Sequence, residues 1–117
     1  MIVELPIRIV SEANLREHWS KKSSRHKKQG LIIRNALHSH RIALPCVVTL
    51  TRVAPRQLDE DNLMTALKYA RDTVADIIIP GLAKGRADGD SRIEWRYGQE
   101  KGKPKYYALK IEVIDGN

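Results

Sequence analysis

Two carboxylates one residue apart, Asp59 and Asp61 in Leu58-Asp59-Glu60-Asp61-Asn62, are followed about thirty residues later by a third in Asp88-Gly89-Asp90-Ser91-Arg92-Ile93. In an extended segment Asp59 and Asp61 point the same way, and Asp90 is expected to join them from the start of a later strand. Carboxylates that converge in this way repel one another unless a cation sits among them. Magnesium suits such a set, because it takes oxygen ligands in near-octahedral geometry and keeps positions for water and phosphate oxygens. Metal-bound water is the better nucleophile, so the chemistry indicated is phosphodiester hydrolysis, with manganese as a substitute ion. Lys68, roughly two turns beyond Asp61 on the same helix side, could neutralise a pentacovalent phosphate or a leaving oxygen. The same residues have a plainer reading. Asp61 then only caps a helix, Asp59 is a solvated turn residue, Asp88 to Asp90 is an ordinary loop, and Lys68 forms an i,i+4 pair with Asp72.

The surroundings of these carboxylates are basic. The 117 residues carry 21 Lys and Arg against 14 Asp and Glu, a net charge of +7, and an anionic partner, nucleic acid first, is expected. Arg16, Lys21, Lys22, Arg25, Lys27 and Lys28 cluster around His18, Trp19 and His26. This stretch could hold phosphates, with Trp19 stacked on an unpaired base or wedged at a branch point; the alternative is a solvated basic arm with Trp19 in the core. Other chemistries lack their residues. Gly81 to Gly85 has no P-loop ending, no GxGxxG follows a strand, and the four histidines have neither a second cysteine nor an HExxH frame. No nucleophile-elbow pattern supports a Ser-His-Asp triad. The single Cys46 lies in an apolar run and reads as a buried thiol in a reducing cytoplasm. The first segment is broken by Glu4, Pro6 and Arg8, so neither an export signal nor a membrane span is expected there.

The elements that must position these groups follow from periodicity. Val3, Leu5, Ile7 and Ile9 alternate as in a strand with one buried face, and Ser11 to Lys28 reads as a loop or mobile arm. A helix is expected over about 25–40, with Leu31, Ile32, Ala36 and Leu37 as its apolar stripe and Gly30 weakening it by roughly 1 kcal/mol relative to alanine. His38 and His40, near its end, are suited to cap carbonyls. Cys46 to Val53 is nearly continuously apolar, the mark of a central strand buried on both faces. A second helix begins near Asn62 with Asp61 as N-cap, buries Leu63, Leu67, Ala70, Val74 and Ile77, and ends at Pro80-Gly81. Asp61, Thr65, Lys68 and Asp72 then share its polar side. Ser91 to Tyr97 and Tyr107 to Val113 alternate on either side of Lys101-Gly102-Lys103-Pro104 and predict a C-terminal antiparallel hairpin, with Trp95 and Tyr97 in the core. The whole is a single α+β domain over 1–117, a mixed β-sheet with two principal helices in the order β-α-β-α-β-β.

Taken together, Leu5-Pro6, Asn14, Leu58 to Leu63, Lys68-Tyr69-Ala70-Arg71-Asp72, Gly81, Asp90 and the last two strands resemble the RusA family of Holliday junction resolvases, small phage- or prophage-type endodeoxyribonucleases. The resemblance covers most of the chain. It implies a homodimer that makes paired, magnesium-dependent nicks in four-way or other branched DNA during recombination or repair. By position it implies Asp59, Asp61 and Asp90 as metal-binding catalytic aspartates, Lys68 as the helix lysine, and Asn14 as a residue near the substrate. The chain departs from the family pattern where Thr65 takes the usual lysine spacing, three residues before Lys68, and where Asp88-Gly89-Asp90 replaces adjacent aspartates. The alternatives from other classes are a non-catalytic dimer that binds branched DNA and a small RNA-binding protein whose basic arm orders on its partner.

Overall fold

The computed structural model describes residues 1–12, 15–82 and 86–116. The element order is β1 (Ile2–Leu5), α1 (Trp19–Leu37), β2 (Cys46–Ala54), α2 (Glu60–Ile78), a 3₁₀ turn (Ala87–Gly89), β3 (Ile93–Lys101) and β4 (Ala108–Asp115). The strands form one mixed sheet in the order β1-β4-β2-β3. The α+β architecture expected from the sequence is therefore present. Among the described residues no helix is long and apolar enough to cross a membrane.

The register shows which sheet face the helices cover. Val48 stands beside Trp95 and Val113, and Leu50 beside Tyr97 and Ile111, so these side chains share one face, where Val48, Leu50, Ile111 and Val113 are buried. Leu63, Leu67, Ala70 and Val74 of α2 and Ile33 and Leu37 of α1 pack into the same core. Their three- and four-residue spacing gives each helix one apolar stripe. Trp95 and Tyr97 pack against this core half-buried, and Cys46 is buried as expected. The opposite face carries Thr49, Thr51, Glu94, Arg96, Lys110 and Glu112, none of them fully buried. β2 is thus central in pairing, but its far face is buried only at its end, at Val53 beside Ala108, which corrects the expectation of burial on both faces along its length.

Two further expectations are corrected. β3 and β4 do not form a hairpin: β3 pairs parallel with β2, β4 pairs antiparallel with β2, and the two are separated by it. The link between them passes over the end of β2, where Gly102 N–H donates to the Ala54 carbonyl at 2.8 Å. Alternation identifies strands but not their neighbours, and a short loop had suggested adjacency. α1 begins at Trp19 rather than near 25, and ends at Leu37. Its first turns bury little, so they lack the apolar period that would reveal them. His18 caps this helix by accepting from Ser20 N–H at 3.2 Å, and His38 Nδ1 lies 2.8 Å from the Asn35 carbonyl, the C-terminal capping expected of it.

Gly30 finds its reason in helix packing. A Cβ there would meet the Tyr69 hydroxyl oxygen at 3.0 Å, so the weak helix former permits close approach of α1 to α2. Past the end of α2, Gly81 takes φ +96°, a left-handed conformation that residues with a Cβ rarely adopt.

Candidate functional site

The start of α2 is held from both sides. Leu58 N–H donates to Gln99 Oε1 and Gln99 Nε2 donates to the Leu58 carbonyl, both at 2.8 Å. One residue on, the Asp59 carboxylate accepts from Asn62 N–H at 2.8 Å and from Asn62 Nδ2 at 3.0 Å. Asp59, not Asp61, is the N-cap. Asp61 lies exposed in the first turn, where a negative charge also complements the free N–H groups and the helix dipole. Asp59→Ala is expected to cost about 1 kcal/mol through loss of the cap, whereas Asp59→Asn, which can still accept, costs only a few tenths by rough estimate. Urea denaturation of the two variants reads the difference directly.

A second group of charges lies two-thirds of the way along α2. Arg71 Nε is 3.4 Å from Asp88 Oδ2, its Nη2 donates to the Asp88 carbonyl at 3.0 Å, and its Nη1 donates to the Tyr97 hydroxyl. Trp95 Nε1 donates to the same carbonyl at 3.1 Å. Asp72 stands between Lys68, at 3.5 Å, and Asp88. Burial pushes the Asp72 carboxyl above the usual carboxylate range; Lys68 opposes this and the charge of Asp88 adds to it. Asp72 Oδ1 is buried without a hydrogen-bond partner among the described residues. The i,i+4 pair proposed as the plain reading of Lys68 is therefore present. Asp90 is held instead by its own strand entry: Arg92 donates from N, Nε and Nη2 at 3.0, 3.0 and 2.9 Å. These bonds draw the Asp90 carboxyl down to about 2.

The three expected metal ligands are not gathered in one group by this chain. β2 and β3 are parallel, so α2 must run back along the sheet from the end of one strand to the start of the other. Asp59 stands at the N-terminus of that crossover helix, while Arg71 holds the Asp88 loop about 18 Å farther along the axis, taking 1.5 Å per residue. Asp90 follows in that loop. Among the described residues no group of three His, Cys, Asp or Glu side chains is placed to hold a metal ion.

The basic stretch takes a definite form. Asn14 lies outside the described residues. Arg16 is exposed ahead of the helix, and Trp19, Lys21, Lys22, Arg25, Lys27 and Lys28 all lie on α1 rather than on an arm. Trp19 is 74 % exposed, which rules out its core alternative. Arg25 is turned inward: its Nε donates to Glu12 at 3.0 Å and its Nη1 and Nη2 to Glu17 at 3.1 and 2.6 Å. Its charge is already matched, so it is not presented to phosphates. Glu12 also meets His26 Nε2 at 2.9 Å. Although burial raises its pKa, the Arg25 and His26 hydrogen bonds prevail and hold it below the usual range. His26 in turn stacks on Tyr69, ring centroids 4.0 Å apart.

Lys22, His26 and Tyr69 line a hollow of about 340 Å³ that reaches Thr65, Lys68 and Asp72 on α2. A second, of about 290 Å³, continues from Thr65 and Lys68 to Arg71, Asp88 and Tyr97. The polar side of α2 predicted from its periodicity is thus the wall of a furrow. The contributions of Glu12, His26, Tyr69, Arg71, Asp88 and Tyr97 were missed as a group, because they come from separate elements. The only sequence signal was the Tyr69-Ala70-Arg71-Asp72 stretch itself. Comparison with models of known protein families and with curated proteins gives no match to this chain.

Proposed function

We propose that this chain is a magnesium-dependent, structure-selective endodeoxyribonuclease of the RusA-like Holliday junction resolvase type, making paired nicks in branched DNA as a homodimer. The observation that carries this reading is the pair Asp59 and Asp61 at the start of α2, the helix whose polar side walls an aromatic-lined furrow, in a chain of net charge +7. Asp59 and Asp61 offer hard oxygen donors of the kind magnesium takes together with water and phosphate oxygens. However, α2 begins between them and residues two apart on a helix do not share a face, so Asp59 would have to leave Asn62 for both to meet one ion. The ion would activate water and stabilise charge on the phosphate. Lys22, Lys27 and Lys68 would draw the DNA backbone toward this end of the helices. Lys68, 66 % exposed, would meet a phosphate while still paired with Asp72, whose carboxylate is only 24 % exposed.

Homodimerisation supplies the missing carboxylate. β3 is a nine-residue edge strand that would pair antiparallel with a copy of itself about Trp95, a register that also sets Glu100 opposite Asp90 of the partner subunit. Glu94 then faces Arg96 of the partner subunit, and Gln99, which holds Leu58 beside Asp59, faces Ser91 of the partner subunit. Each metal site would take Asp59 and Asp61 from one protomer and Asp90 from the other, once Arg92 yields. Two such sites related by a two-fold axis account for paired cuts in a junction of approximate two-fold symmetry.

A second reading is a non-catalytic dimer that binds branched DNA or RNA. It is favoured by the internal commitments of Asp59 to Asn62, Asp90 to Arg92 and Lys68 to Asp72. Incubation of the protein with a labelled four-way junction and a matched linear duplex separates the two. Paired nicks in the junction alone, with magnesium or manganese and not with chelator, support the nuclease; binding without cutting in either metal supports the second reading.

A further inference from the structure

We infer that the furrow between α1 and α2 is a track for an unpaired DNA strand, with Trp19 as the platform on which a base stacks. This rests on the nucleic-acid part of the proposed function and not on cleavage. A hollow of about 330 Å³ at the start of α1 is lined by Trp19, Lys22, Lys27 and His26 together with Tyr69. It shares Lys22, His26 and Tyr69 with the central hollow, which in turn shares Thr65 and Lys68 with the third. The three are successive parts of one furrow that begins at an indole and crosses both helices.

The indole is the unusual feature. Trp19 is the most exposed large apolar side chain on the described surface, at 74 %, and its neighbouring ring is that of His18, tilted by 35° at 5.5 Å. An exposed aromatic beside ammonium groups is what single-strand binding requires: the ring takes a base face, and the lysines take the phosphates on either side. Duplex bases already have both faces stacked, so the platform selects a base outside a helix, as at a branch point or flap. The carboxylates along the furrow do not oppose this. Glu12 is matched by Arg25 and His26, Asp72 faces Lys68, and Asp88 faces Arg71, while Lys22 and Lys27 stay exposed at the mouth.

The test is binding of labelled oligothymidylate by anisotropy in chelator, where no cutting occurs, with linear duplex and oligouridylate as the other ligands. Wild-type protein should bind oligothymidylate, and Trp19→Ala should weaken this by about tenfold to a hundredfold, the usual worth of one stacked base. The same variant should change duplex affinity far less, and Trp19→Tyr, which keeps a ring, should restore most of the loss. Because Trp19 lies outside the core, circular dichroism of both variants should match wild type. Equal oligothymidylate binding by Trp19→Ala and wild type, or binding confined to oligouridylate or duplex, overturns the track. Nicking of a four-way junction by the same preparation is scored separately. Intact nicking with an unchanged Trp19→Ala affinity removes the track alone, and a confirmed track without nicking removes the nuclease alone.

Discussion

Asp61→Asn is expected to lower metal-dependent nicking of a four-way junction by about a thousandfold or more while leaving junction binding intact or tighter. The change replaces one carboxylate oxygen by an amide at an exposed position of the first turn, where Asp59 rather than Asp61 holds the cap. Folding should therefore be almost undisturbed. Loss of the negative charge also reduces repulsion of DNA phosphates, hence the expectation of unchanged or tighter binding. The comparison uses single-turnover cleavage in magnesium and band shift in chelator. An Asp61→Asn protein that nicks at the wild-type rate would remove Asp61 from the site and leave its carboxylate only a role in complementing the helix dipole.

The second large effect comes from mixing. Asp61→Asn and Asp90→Asn should each be inactive alone, yet regain nicking when combined after subunit exchange. If each site takes Asp61 from one protomer and Asp90 from the other, a mixed dimer has one doubly altered site and one intact site. Random exchange makes half the dimers mixed, so about a quarter of wild-type sites return. The products should be single nicks rather than paired cuts. A site built within one protomer places one alteration in each half of the mixed dimer and recovers nothing. The length of α2 between Asp59 and the Asp88 loop motivates the first outcome. Asp90→Asn also removes the carboxylate that Arg92 grips, so circular dichroism of the single variants is the necessary companion measurement.

Much of the architecture was legible in the residues. The Leu63, Leu67, Ala70, Val74 spacing placed α2, and Pro80-Gly81 ended it. The alternation of Ile93, Trp95 and Tyr97 and of Leu109, Ile111 and Val113 located two strands. The first turns of α1 were not legible, because Trp19, Lys21, Lys22, Ser23 and Ser24 bury too little to show a period. Nor was the fate of Arg25, whose charge is matched by Glu12 from outside the helix and Glu17 just before it. Of the candidate site, the sequence marked the carboxylates and the basic stretch. It did not reveal that Tyr69 and His26 would stack across two helices beside Lys22 and Lys68.

By itself, then, the order of residues determined the elements, the basic balance of the chain and the two places where carboxylates concentrate. These are local properties, set by side-chain period, capping and charge within a few residues. Tertiary structure alone decided that β3 lies parallel beside β2 and not against β4. From that pairing follow the direction of α2, the separation of Asp59 and Asp61 from Asp90, and the furrow that joins Trp19 to Lys68. Strand neighbours are chosen by burial of a shared face among residues distant in sequence, and no local pattern records that choice.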